Sequence, residues 1–232
     1  MLPSYHYSYL VGVLIFWVAW VACSIFGKTY RAEIRWGTLI AAPLALTSFL
    51  FVPQYWTPPS LFNLDQRVRV GIDDFLWAAA VGGIASVVGE IFLKEKLGAI
   101  RQSRHKRHYA PFLLIILVFV VLEFWHPGKT MNNMIISFAV GAFVLGYVRR
   151  DLIPLMLTSA LSFAALYFVL FLCLLVLYPQ FVQRYYNLRN LLGIYVIGVP
   201  IEELLFAATG GAIWSVAYEY VHGYRLEVSG RI

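Results

Sequence analysis

Two stretches of the chain read alike: Asp73–Glu90, DDFLWAAAVGGIASVVGE, and Glu202–Glu219, EELLFAATGGAIWSVAYE. They align without a gap at an offset of 129, with Leu76, Ala78, Ala79, Gly82, Ile84, Ser86, Val87 and Glu90 identical, eight positions of eighteen. An acidic pair opens each stretch and a glutamate closes it. Upstream, Pro53-Gln54 is matched by Pro179-Gln180, and Phe62-Asn63 resembles Tyr186-Asn187. Self-similarity on this scale marks a duplicated structural unit.

The rest of the chain says what kind of unit. Of 232 residues 61% are hydrophobic and only 13% charged, where a soluble domain carries about 25% charge. That balance excludes a soluble globular enzyme, a disordered chain and a disulfide scaffold. Seven apolar runs are long enough to cross a bilayer, near 9–26, 37–52, 73–93, 109–125, 132–148, 152–178 and 191–221. The start, MLPSYHYSY, lacks a basic leader, and its run ends at Gly27-Lys28 without a small-residue cleavage site, so it reads as a first span. The expectation is an all-α polytopic membrane protein of seven transmembrane helices. Spans three and seven lie four helices apart and so run the same way. This implies two parallel three-helix repeats, 1–108 and 132–232, joined by a linker helix, 109–131.

The loops after spans one, three and five, with the C-terminal tail, hold thirteen of the eighteen Lys and Arg residues. By the positive-inside rule the N-terminus is outside and the C-terminus cytoplasmic, in a cell membrane. The basic run KEKLGAIRQSRHKRH accounts for much of the net positive charge. It reads as a topology-setting loop beside anionic headgroups, not as a nucleic-acid site. Cys23 and Cys173 both sit in apolar runs, with no metal-ligand spacing around them.

Carboxylates are costly inside a bilayer and mark function when they occur there. Six of the twelve acids stand at repeat-matched positions: Asp73, Asp74, Glu90, Glu202, Glu203 and Glu219. Glu202 and Glu203 fall about twelve residues into the last apolar run, and Pro200 just before them can kink it. No lysine or arginine lies within the spans to neutralise these acids, a setting that suits a general acid. One member of each pair is expected to face a cavity, the other to orient it. Trp77 and Phe206 are also repeat-matched, one turn beyond the acids. Glu90 and Glu219 lie ~25 Å further along, as inner helix-end carboxylates or contacts to a long substrate. Tyr5, Tyr7, Tyr9, Trp36, Tyr55, Trp56, Tyr185 and Tyr186 mostly sit at span ends and read as an interfacial aromatic belt.

The segment Gly198-Val199-Pro200-Ile201-Glu202-Glu203-Leu204-Leu205-Phe206, closing in Tyr218-Glu219, resembles the signature of the small membrane lycopene cyclase domain. The first repeat departs from it: Gly71-Ile72-Asp73-Asp74 replaces the proline and both glutamates, and Gly89 stands opposite Tyr218. Fungal membrane meroterpenoid cyclases are similar in size and helix number. The resemblance implies redox-neutral cyclisation of a hydrophobic isoprenoid, with no cofactor or metal. A carboxyl protonates a terminal alkene, aromatic faces stabilise the cation and a second carboxylate removes a proton. It implies the acid at Glu202/Glu203, the facing partner at Asp73/Asp74, and substrate contacts at Trp77, Phe206, Glu90 and Glu219. The partners expected are the lipid bilayer and the isoprenoid, with homo-oligomerisation left open. The alternative is a small-solute transporter of three-one-three helix design, toward which the two Pro-Gln pairs point. A retinal-binding protein is excluded, because the last span has no lysine for a Schiff base.

Overall fold

The computed structural model describes residues 4–93, 97–101 and 109–228. Most of the basic loop after the third span therefore lies outside the described residues. Eleven α-helices occur among the described residues: α1 Ser8–Phe26, α2 Arg31–Ala41, α3 Ser48–Phe51, α4 Leu64–Val68, α5 Ile72–Ala85, α6 Val88–Leu93, α7 Ala110–Trp125, α8 Thr130–Val148, α9 Ile153–Leu177, α10 Phe181–Tyr185 and α11 Ile201–His222. A 3₁₀ segment, Ala42–Thr47, with a proline in its first turn, carries α2 into α3. Strand pairing is slight. β1 Leu97–Arg101 runs antiparallel to β4 Tyr224–Val228, and β2 Tyr195–Val196 to β3 Val199–Pro200. The chain is thus nearly all helical.

Among the described residues five helices are long and apolar enough to cross a membrane: Tyr5–Phe26, Lys28–Phe51, Ile72–Phe92, Thr130–Val148 and Arg150–Leu177. Their outward surfaces are the inverse of a soluble protein's, with Val18, Phe143, Leu161 and Val176 each more than 70% exposed. Such a band of large apolar side chains matches hydrocarbon, not water. α7 is apolar but only 16 residues long. α11 has 22 residues but carries Glu202, Glu203 and Glu219, and nearly all its acids and small residues are turned inward. It is screened from lipid by its neighbours and needs no apolar shell of its own.

α5 packs on α2 and α1, and α11 on α9 and α8. Glycines set both approaches. A Cβ on Gly82 would lie 2.2 Å from Ala41 Cβ and 2.7 Å from the Gly37 carbonyl oxygen of α2. One on Gly211, its match in the repeat, would lie 2.9 Å from Phe163 Cβ and 3.0 Å from the Ser159 carbonyl oxygen of α9. Small residues at such contacts let helix backbones close without a side chain between them.

One expectation is corrected here. The last run is not a continuous helix from 191: residues 191–200 form turns and the β2–β3 hairpin, whose two-residue turn uses positive φ at Ile197 and Gly198. α11 begins only at Ile201, with Pro200 as its N-cap instead of a kink within it. Proline is well tolerated at a helix start, where no intrahelical partner awaits its missing N–H. Glu202 and Glu203 therefore occupy the first turn of α11, as Asp73 and Asp74 occupy the first turn of α5.

Candidate active site

The two acidic pairs divide their labour in the same way. Asp73 Oδ2 accepts the Leu61 N–H at 2.6 Å, and Glu202 Oε1 accepts the Leu192 N–H. Each ties the loop before its helix to the helix start, and neither lines the cavity. The second acids do. Asp74 and Glu203 both open onto a cavity of about 200 Å³, enclosed by α1, the α2–α3 segment, α5, α8, α9 and α11. This is the arrangement the ~100° step between helix neighbours allows.

Glu203 is 4% exposed and accepts three phenol O–H groups: Tyr55 at 2.8 Å and Tyr186 at 2.8 Å on Oε1, Tyr167 at 2.6 Å on Oε2. Asp74 is 3% exposed and accepts Tyr9 O–H at 2.8 Å on Oδ1 and the Gly71 N–H at 2.9 Å on Oδ2. The last bond also caps α5. Buried acids with hydrogen-bond donors are affordable where isolated ones are not. Burial beside Glu203 drives the Tyr55 and Tyr186 phenols well above their usual range, so both stay protonated donors.

Sequence reading placed Tyr9, Tyr55 and Tyr186 in an interfacial belt, and the structure moves them to the acids. They are 3%, 4% and 7% exposed. Tyr167, inside the sixth apolar run, gave no sign at all. The signal that could have found them is the absence of any cation for the buried acids, since phenols are the remaining strong donors able to enter lipid.

Asp65 was also missed. It lies on α4 outside the spans, is fully buried, and both its oxygens are without a hydrogen-bond donor. Burial first, then the charge of Asp74, push its carboxyl up to about 8. The shift favours the protonated form of Asp65 beside Asp74.

Between the two acids the walls are aromatic. Trp77 and Phe206 stack with ring centroids 6.1 Å apart and planes 22° from parallel, and Phe206 stacks in turn on Phe138 at 5.9 Å. Trp77 and Phe206 each stand three residues after the cavity-facing acid, on its helix face. Met131 and Met134 of α8 and Leu44, which is 50% exposed, complete an apolar side. Glu90 and Glu219 are absent from this cavity; they meet elsewhere, with Glu33. Glu123, at the end of α7, accepts from Thr130 and Asn133 of α8 and braces those helices.

Residues 128–221 match the family model of lycopene cyclase, so the likeness read from the Pro-x-Glu-Glu segment extends across the second half of the chain. No curated protein and no solved structure matches the chain. This likeness over part of the chain, together with several membrane-length apolar helices, supports a membrane protein with a carotenoid cyclase kind of function. It does not favour a transporter.

Proposed function

We propose that the chain is an integral membrane isoprenoid cyclase that closes a ring on a lycopene-like polyene end by proton donation, carbocation attack and proton removal. The observation that carries this is the apolar cavity bounded by Asp74 on one side and Glu203 on the other, with aromatic faces between them. Asp74 acts as the acid. It adds H⁺ to the terminal C=C, leaving a tertiary cation; the neighbouring C=C attacks that centre and forms the ring bond. Glu203 then takes a proton from the carbon beside the new cation, which makes the ring double bond. One proton enters and one leaves, so the product is an isomer of the substrate and no electrons are exchanged.

The direction reverses the one implied by the resemblance. Three O–H donors converge on Glu203 and use its oxygens as acceptors, which fits the carboxylate a base must be. Asp74 has Asp65 beside it as a proton store. Trp77, Phe206 and Phe138 offer π faces, each worth ~0.5–2 kcal/mol to a desolvated cation, and the apolar walls keep water from quenching it. The half-exposed Leu44 supports lateral entry of the polyene from the lipid.

The architecture we read around this site is seven spans in two parallel three-helix repeats, with α7 as linker and α11 as the seventh span. The repeated packing, α5 on α2 and α1 against α11 on α9 and α8, supports it. Lys28, Arg31, Arg35, Arg149 and Arg150 fall at one end, which supports a cytoplasmic face there and an external N-terminus. The deciding experiment is expression in lycopene-producing cells with pigment chromatography. A cyclised carotenoid is expected. Lycopene alone would move the substrate to another isoprenoid, tested next with shorter prenyl chains. No ring product from any polyene would defeat the reading.

A further inference from the structure

The Glu90–Glu219 match, left without a role by the cyclase site, gains a third member from an unrelated position. Glu33 in the first turn of α2, Glu90 on α6 and Glu219 near the end of α11 bring one carboxylate oxygen each to within 4.8 Å of the other two. Glu90 is 2% exposed and Glu219 4%. Oε2 of all three is shut off from solvent with no hydrogen-bond partner. Ser159 Oγ, also buried and without a partner, presses against Gly89, the residue before Glu90. Arg149 lies close enough to Glu219 for their charges to attract, but its salt bridge is to Asp151.

We propose that Glu33, Glu90 and Glu219 bind a hard divalent cation, of the magnesium, manganese or calcium class, that pins the basic end of the helix bundle. Two buried carboxylates and a partly buried third, facing one another with unsatisfied oxygens, are destabilising unless something positive lies between them. Oxygens up to 4.8 Å apart are the spacing a central ion makes, since oxygen-to-metal bonds of about 2.0–2.6 Å put ligands ~3–5 Å from each other. The all-oxygen donor set selects hard cations over zinc or copper. Glu33 is only partly buried and gives the ion a way in. The three glutamates come from three helices of both halves, so a shared ion locks α2, α6 and α11 together ~25 Å from the acids that do chemistry. This site stands apart from the cyclase reading and survives its failure.

The test is a Mn²⁺ titration of the full-length chain in detergent at pH 7.5, with free Mn²⁺ read by electron paramagnetic resonance. Uptake of one Mn²⁺ per chain is expected, reversed by excess Ca²⁺ or Mg²⁺, together with a rise in unfolding temperature. Glu33→Gln replaces the most exposed ligand and is the variant best placed to fold. It should weaken Mn²⁺ binding by tenfold or more, while Glu123→Gln leaves it unchanged. Absence of stoichiometric uptake by the wild-type chain would overturn the site in favour of carboxyls that share protons. Equal uptake by Glu33→Gln would overturn it too.

Discussion

At the scale of single residues, the first and second acids of each pair differ by one position and by everything they touch. Glu203→Gln keeps the volume of the side chain but cannot take up a proton as the carboxylate does, so ring formation should fall below detection with little change in unfolding temperature. Glu202→Gln still offers an oxygen to the Leu192 N–H and should keep most activity, whereas Glu202→Ala leaves that N–H unpaired and costs about 1–3 kcal/mol. Product chromatography and thermal unfolding on the three variants check this; retained turnover in Glu203→Gln would remove it from the reaction. Asp65 adds a pH signature. Its carboxyl, pushed up to about 8 by burial and by Asp74, binds its proton more tightly in the folded chain than in the unfolded one. Its contribution to stability is therefore complete below the ordinary aspartate range and is lost as pH rises through about 8. Wild-type unfolding temperature should decline across that window and activity should drop above pH 8. Asp65→Asn should flatten the first curve and lower activity at neutral pH. An unchanged pair of curves would show that Asp65 stores no proton for Asp74.

At the scale of helices, the repeat carries packing as well as acids, and glycine separates the two uses. Gly82→Ala forces a methyl onto the α2 backbone at 2.7 Å. It should cost about 1–3 kcal/mol even though alanine gains up to ~1 kcal/mol in helix propensity. Gly210→Ala meets only the Phe138 ring edge at 3.5 Å. It should stabilise α11 by about 0.5–1 kcal/mol while narrowing the cavity and lowering turnover. Unfolding temperature and product yield moving in opposite directions for Gly210→Ala is the diagnostic result. These helices also mark what the sequence could tell. The acids and Gly82/Gly211 are legible because duplication prints them twice. Where α11 starts was not, since residues 191–200 are as apolar as a span, and the positive-φ positions Gly193, Ile197 and Gly198 break them. Tyr9, Tyr55, Tyr167 and Tyr186 come from four separate segments with no spacing to link them. Glu33 likewise joins Glu90 and Glu219 only through the packing of α2 against α5 and α11. Contacts that depend on tertiary assembly leave no period in a sequence, however decisive they are for the site.

At the scale of the molecule, the proposed acid–base pair is split between the halves: Asp74 and Trp77 come from the first, Glu203 and Phe206 from the second. α6 packs on α9, α1 on α9 and α5 on α11 across that division. β1 and β4 add a backbone ladder from Leu97↔Val228 to Arg101↔Tyr224. Cutting the chain between residues 108 and 109 leaves both strands of this ladder, and every helix, intact within its own fragment. Each fragment keeps the packing of its third helix on its first two, and each exposes a face that only the other fragment covers. Co-expression of 1–108 with 109–232 in lycopene-producing cells should therefore restore cyclised product, while either fragment alone gives none. The outcome is sharpened by placing Asp74→Asn in the first fragment or Glu203→Gln in the second. If one composite site does the work, either change abolishes product, because no complete acid–base pair remains in any assembled molecule. If each half held its own site, either single change would leave about half the activity. Two fragments that keep full product yield with Asp74→Asn present would assign the whole reaction to the second half and reduce the first to a scaffold.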